Sequence, residues 1–430
     1  MSLYFARALS RACIATACLG LASAWAAPPG ARAVPDTAGA ESASPALADS
    51  TLGACTLRVR HEFGEYPGDT LRPLDGLVAG ADGTLYGTTS QGGDCANGSV
   101  YRIDPDGSFV VLHAFAGQAD GSYAISRPLL AADGTLYGTT ATGGIPGRPG
   151  LGTVWRIDTA GRYQVLHAFS GGVGGSNPSG PLLQARDGNL YGVTQGGGAP
   201  HRGVLYRIGP VGEFTVLHSF GARSAPGDLQ EPMGALVQAA DGSLYGGALL
   251  GGAHGAGGIY RWNPRDGESV VVSVDPRDGG PAEISSGLIE AADGALYGVS
   301  AEGGSHGRGT LFRLTLQGRW QVLHDFGADD DGYAPAGELA RGPDGALMGV
   351  TTHGGTFDSG TLFRLGPDGS YRRLACDTGR PPQTPNEMRG PLVLREGQWW
   401  GVSASGGKRG GGTVYSIDTA PRAAPAESSS

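Results

Sequence analysis

The sequence predicts an all-β fold: a seven-bladed β-propeller closed by an N-terminal outer strand pairing with the C-terminal blade. Three observations carry this expectation. One segment recurs seven times, each copy reads as four short strands, and the two ends of the repeat region complement one another. A repeat period bounds the architecture first, because stacked units bury a core that no single unit can bury alone.

The recurrence is plain along the chain. Asp82-Gly83-Thr84-Leu85-Tyr86-Gly87 returns from Asp133, and again from Asp187, Asp241 and Asp293 with Leu-Tyr-Gly intact. Near Asp344 it becomes Leu347-Met348-Gly349, and near Glu396 it becomes Trp399-Trp400-Gly401, in steps of 51, 54, 54, 52, 51 and 52 residues. The third copy shows the strands. Residues 181–185 form strand a, and Asp187-Gly188 makes a tight hairpin, since Gly has no Cβ to clash and Asp tolerates the left-handed region. Residues 189–194 form strand b, Gly196-Gly197-Gly198 opens a longer b–c loop, 204–208 form strand c, and 214–220 form strand d. Four antiparallel strands per unit are the signature of a propeller blade.

The ends separate a ring from an open solenoid. Residues 56–63 read as a strand d, with Val59-Arg60-His61-Glu62-Phe63 aligning with Val111-Leu112-His113-Ala114-Phe115. The last copy carries strands a, b and c and stops at Asp418. Seven complete blades therefore require the first strand to join the last three, which closes the ring and removes the open sheet edge.

Composition limits the function classes. The 79 glycines recur at fixed offsets and mark ordered turns, while a net charge of −9, with Lys408 the single lysine, opposes capture of nucleic acid. At the N-terminus Arg7 and Arg11 precede an apolar run over 13–25, and Ala24-Trp25-Ala26 offers a cleavage site. The expected organisation is a signal peptide over 1–26, an Ala/Pro/Ser-rich leader over 27–54, the propeller over 55–419 and a disordered tail over 420–430. A secreted or periplasmic monomer with no transmembrane segment follows, and acylation at Cys18 is disfavoured because Ala15 stands where Leu is usual. Cleavage leaves Cys55, Cys95 and Cys376, so one disulfide is expected from three possible pairs.

The run Leu-Tyr-Gly-Thr-Thr, a following Gly-Gly, Gly-Thr-Val or Gly-Thr-Leu before an aromatic residue, and Val-Leu-His-x-Phe closely resembles the GloVer tandem repeat. That repeat occurs in exported bacterial proteins, the choice-of-anchor tandem-repeat GloVer-containing family. The resemblance covers about residues 55–419, and two d strands depart from it, at 270–274 and at Leu374-Ala375-Cys376. It implies a propeller and export to the bacterial envelope, and it implies no activity for particular residues.

Most recurring polar residues read as structural. His61, His113, His167, His218 and His324 share one position on the outermost strand, too far apart to ligate one ion, and are expected to hydrogen-bond between blades. Arg102, Arg156, Arg207, Arg261, Arg313 and Arg364, and the tyrosines of the Leu-Tyr-Gly motif, are expected to pack or pair with neighbours. Chemistry at one point of a ring needs groups that break the sevenfold pattern. The candidate ligand-binding residues are accordingly His201, His254, His306 and His353 in or beside the b–c loops, and Glu283, Glu290 and Glu338 on or near inner strands. No zinc spacing, calcium loop, phosphate loop or nucleophile elbow occurs, so no metal and no cofactor is expected. The function expected is a non-enzymatic binding or scaffold module for an unknown protein or glycan ligand. The alternative is a secreted lyase or hydrolase with its site at the channel mouth.

Overall fold

Seven four-stranded antiparallel sheets follow one another along the chain, as the repeat requires. The computed structural model describes residues 55–419 apart from 67, 148–149, 223–226, 328–330, 356, 375 and 378–383; the expected signal peptide, leader and tail lie outside the described residues. Blade 1 spans 78–114, blade 2 129–168, blade 3 176–219, blade 4 229–273, blade 5 289–325, blade 6 333–374 and blade 7 385–419 with 55–62. Strand a in each blade lies innermost and strand d outermost.

The first strand, Cys55–Glu62, pairs antiparallel with Thr413–Thr419, running from Cys55 opposite Thr419 to Glu62 opposite Thr413. It carries a register shift between Val59 and His61. Strands c and d of blades 1 to 5 carry the same irregularity, so the N-terminal strand is a true d strand of blade 7. A disulfide between Cys55 and Cys376 then ties this strand to the end of blade 6, where Cys376 pairs with it in parallel register.

The Leu-Tyr-Gly motif has a packing cause. The aromatic residue of strand c lies flat over the glycine of strand b, and a Cβ at Gly138 would stand 2.3 Å from the Trp155 ring. The same holds for Gly192 under Tyr206 and Gly349 under Phe363, at 2.4 and 2.2 Å. Tyr101, Trp155, Tyr206, Tyr260, Phe312, Phe363 and Tyr415 are consequently fully buried, and the glycines admit them to the core.

The strand-d histidines join blades, chiefly by ring stacking. His61 stacks on Phe109, His113 on Tyr163, His167 on Phe214 and His324 on Tyr371, with centroids 4.0, 3.7, 3.8 and 3.4 Å apart. Each partner begins strand d of the next blade. The hydrogen bonds expected there run within the turn following the strand, from His113 Nε2 to Asp120 and from His324 Nε2 to Asp331. The strand-c arginines pair chiefly within their own blades, Arg313 with Asp293 and Arg364 with Asp344, both at 2.7 Å.

One backbone feature recurs at the head of every strand a. Arg72, Tyr123, Asn177, Glu231, Glu283, Ala334 and Glu387 all have φ between 51 and 58°. The geometry hooks each blade onto the one before. The N–H of Arg72, Tyr123, Asn177, Glu231 and Ala334 donates to the carbonyls of Gly411, Asn97, Leu151, Arg202 and Arg308 respectively. A left-handed conformation costs a non-glycine residue about 1–2 kcal/mol, yet none of the seven is glycine.

Candidate functional site

Past this hook the strands converge so tightly that little but backbone fits. A Cβ at Gly180 would lie 2.1 Å from the Gly234 carbonyl oxygen, and one at Gly390 would lie 2.0 Å from the Gly76 nitrogen. Such contacts between neighbouring blades make a channel wall of main chain, and the few side chains that project set its chemistry. The cavity they enclose holds about 300 Å³ and is lined by strand-a residues of all seven blades, together with Ala301 of blade 5 and Thr352 and His353 of blade 6.

Two charged groups meet across it. Arg127 of blade 2 places Nη2 2.8 Å from both Oε1 and Oε2 of Glu338 in blade 6, blades as far apart as a ring of seven permits. Asp75 of blade 1 completes the cluster: its Oδ2 accepts the Arg127 backbone N–H at 3.0 Å and lies 3.6 Å from Nη1. The side chains are 20% (Arg127), 17% (Glu338) and 15% (Asp75) exposed, so each keeps a small face toward the cavity. Burial opposes the Arg127 cation, but the carboxylates of Glu338 and Asp75 outweigh it and hold its pKa above the ordinary value. Burial, followed by repulsion from Asp75, pushes the Glu338 carboxyl upward against the pull of Arg127.

A second guanidinium, Arg389, also lines the cavity, with Nη2 3.8 Å from Glu387. Its Nε is buried and makes no hydrogen bond among the described residues. The lining thus contains two carboxylates, two guanidinium groups and the hydroxyls of Ser179 and Ser285. The charges of Asp75, Glu338, Arg127 and Arg389 balance.

Of the residues singled out from sequence, Glu338 and His353 line this cavity; Glu283, Glu290, His201, His254 and His306 do not. The loop histidines do not form a cluster. His254 lies 3.7 Å from Asp275, His306 3.6 Å from Asp325 and His353 3.9 Å from Asp358, each a local carboxylate. His201 is exposed, with φ 61°. Glu283 occupies the left-handed ring outside the cavity, where burial and then Glu302 raise its pKa. Glu290 accepts the Ala240 N–H at 3.1 Å, a tie between blades 5 and 4.

Arg127 and Asp75 escaped the sequence reading. The signal that finds Arg127 is the column two residues before the aligned strand-a position, Gly76, Arg127, Pro181, Ala235, Gly287, Glu338 and Pro391; Asp75 stands one position earlier, where the other blades carry Ser126, Gly180, Gly234, Ser286, Gly337 and Gly390. Arg127 and Glu338 are the two charged members of the first column, with opposite signs, and Asp75 is the one charged member of the second.

Blades 3 and 4 meet differently from the stacked seams. Glu268 stands where five other blades begin strand d with an aromatic residue, and His218, Asp228 and Glu268 bring ligand-type atoms within 4.8 Å of one another. This is a charged inter-blade contact on the outer side of the ring, away from the axial cavity.

Fold and cavity together define a propeller-type repeat protein with a polar axial pocket. The chain belongs to the Gloeobacter/Verrucomicrobia repeat family, whose model matches residues 49–231 and 232–424 in tandem. No curated protein matches it significantly. Among solved structures it is similar to a streptogramin B lyase, at 12% identity and a TM-score of 0.57, covering 85% of this chain and 98% of that one. It is also similar to virginiamycin B lyase from Staphylococcus aureus, at 12% identity and a TM-score of 0.56, covering 84% and 99%. At such identity the likeness concerns the fold. Among the described residues no helix is long and apolar enough to cross a membrane.

Proposed function

We propose that the protein is an exported, non-catalytic binding module that holds a small, hydrogen-bond-rich ligand without net charge in the axial cavity. The observation that carries this reading is the meeting of Asp75, Arg127 and Glu338, with Arg389 in the same cavity, on the axis of an otherwise repetitive ring. A cavity of about 300 Å³ is at the small end of the range for small-molecule sites. Its balanced charges suit a polyhydroxylated or zwitterionic molecule better than an ion. Export is supported by the charged, apolar and small-residue pattern of the first 26 residues.

A second reading, a lyase or hydrolase, is favoured by one feature. Glu338, with its raised pKa, and His353 line the same cavity, which are the ingredients of general acid–base chemistry. Two solved propellers of similar fold are lyases by name. Against it, both Glu338 oxygens face the Arg127 guanidinium, which occupies the lone pairs a general base would use.

A thermal-shift screen of sugars, sugar lactones, amino acids and nucleosides tests the binding reading. It compares the wild type with the Arg127→Leu/Glu338→Leu double variant. At least one compound should raise the wild-type Tm and leave the variant unmoved. The absence of any hit, or equal shifts in both proteins, would refute the reading. Consumption of a hit, followed by NMR, would favour the enzyme instead.

A further inference from the structure

The exposed aromatic residues include a pair that shares one cleft. Tyr66 and Tyr123, 73% and 44% exposed, line an open groove of about 500 Å³ beside blade 1, with Asp69, Gln91 and Ala96 also in its wall. This groove is separate from the axial cavity, with which it shares no lining residue.

Tyr123 is the single aromatic member of the left-handed ring, with φ 58°. The conformation is common to all seven blades, but a bulky residue there is an outlier that glycine would relieve. The backbone around it is firmly held: its N–H donates to the Asn97 carbonyl at 3.0 Å, and its own carbonyl accepts from Ala141 at 2.9 Å. The phenol is thus set on a rigid mount at the groove wall, which lowers the entropic cost of binding against it. The loop that carries Tyr66 is fixed by Asp69, whose Oδ2 accepts the N–H groups of Gly64 and Glu65, both at 2.9 Å.

We propose that this groove is a binding site for a neutral oligosaccharide, the two phenol rings stacking on pyranose faces while the Asp69 and Gln91 side chains meet hydroxyls. Tyr presents a large apolar face with a polar tip, which matches the alternation of C–H and O–H on a sugar ring. The other stacking ligand, a single-stranded nucleic acid, needs cationic surroundings for its phosphates. Here the groove wall carries one charged side chain, Asp69, with Asp94 beside Gly68 and a single arginine, Arg409, beside Gly64, in a protein of net charge −9.

The test is titration of the full-length protein with cellohexaose, chitohexaose and maltohexaose, followed by calorimetry and tyrosine fluorescence. One of them should bind saturably. Tyr66→Ala and Tyr123→Gly should each weaken it at least tenfold. Tyr123→Gly should hold or raise Tm by about 1–3 °C, because it removes strain, so lost binding there is not lost folding. Failure of all three hexaoses to bind the wild type, or equal affinity in both variants, overturns the proposal. Binding that also vanishes in Arg127→Leu/Glu338→Leu but survives in Tyr123→Gly assigns the sugar to the axial cavity and overturns the groove.

Discussion

Removing Arg127 and Glu338 separately should hurt far more than removing them together. The two charges meet at 2.8 Å across the channel, with about a fifth of each side chain exposed. At an effective dielectric constant of about 20, opposite charges roughly 4 Å apart attract by about 4 kcal/mol. Loss of one partner leaves the other partly buried and unmatched, a cost of about 3–5 kcal/mol for a fully buried pair. The residual exposure admits water and places Arg127→Ala near the low end, about 3 kcal/mol. Glu338→Gln should cost about 1–2 kcal/mol, because Asp75 remains beside the guanidinium and the amide still accepts one hydrogen bond. The apolar double variant Arg127→Leu/Glu338→Leu should return to within about 1 kcal/mol of wild type. Asp75 stays satisfied there by the N–H groups of Gly76 and residue 127. Urea unfolding of the Leu single and double variants gives the coupling energy, expected at about 3–5 kcal/mol. Additivity within about 0.5 kcal/mol would show that the side chains do not meet across the axis.

Other consequences concern the frame. The Cys55–Cys376 disulfide joins residues 321 apart and ties the closing strand to blade 6, so Cys376→Ser should cost about 3–5 kcal/mol and lower Tm by several degrees; an unchanged melt would contradict a stabilising role for this bond. Gly138→Ala would drive a methyl group into the Trp155 ring and should cost about 3 kcal/mol or prevent folding, whereas Gly174→Ala, whose added Cβ meets nothing within 4 Å, should be tolerated. Burial lowers the pKa of His61 and, more simply, of His167, so the folded state binds fewer protons than the unfolded chain just below the ordinary histidine value. Stability should therefore fall as pH drops from about 6.5 toward those lowered values. A His61→Phe/His167→Phe variant should lose less Tm than wild type between pH 7 and pH 5.

The frame was legible because each repeated residue has a local job. Leu-Tyr-Gly marks a strand whose glycine must admit an aromatic ring, and the displaced first strand d announces closure. The histidine column was legible as a set of inter-blade contacts, but not as stacking, because its partners are the aromatic residues that open strand d about 50 residues further on. The disulfide pair was open from spacing alone, since only the fold brings Cys376 beside Cys55. Glu338 stood out because it interrupts the pattern. Arg127 lies 211 residues from it and touches it only across the axis, so no spacing rule links them. The loop histidines show the converse: equivalent positions on one side of a ring need not converge, and His254, His306 and His353 each turn to a carboxylate of their own neighbourhood.

On the proposed function, the seven copies share structure and the axial point where they differ binds a ligand. Hydrogen exchange with and without the strongest thermal-shift hit measures this directly. Protection should rise at 125–127, 285–287, 334–338 and 389–390, the strand-a segments around the cavity. Protection confined to the b–c loops or the outer strands would contradict it.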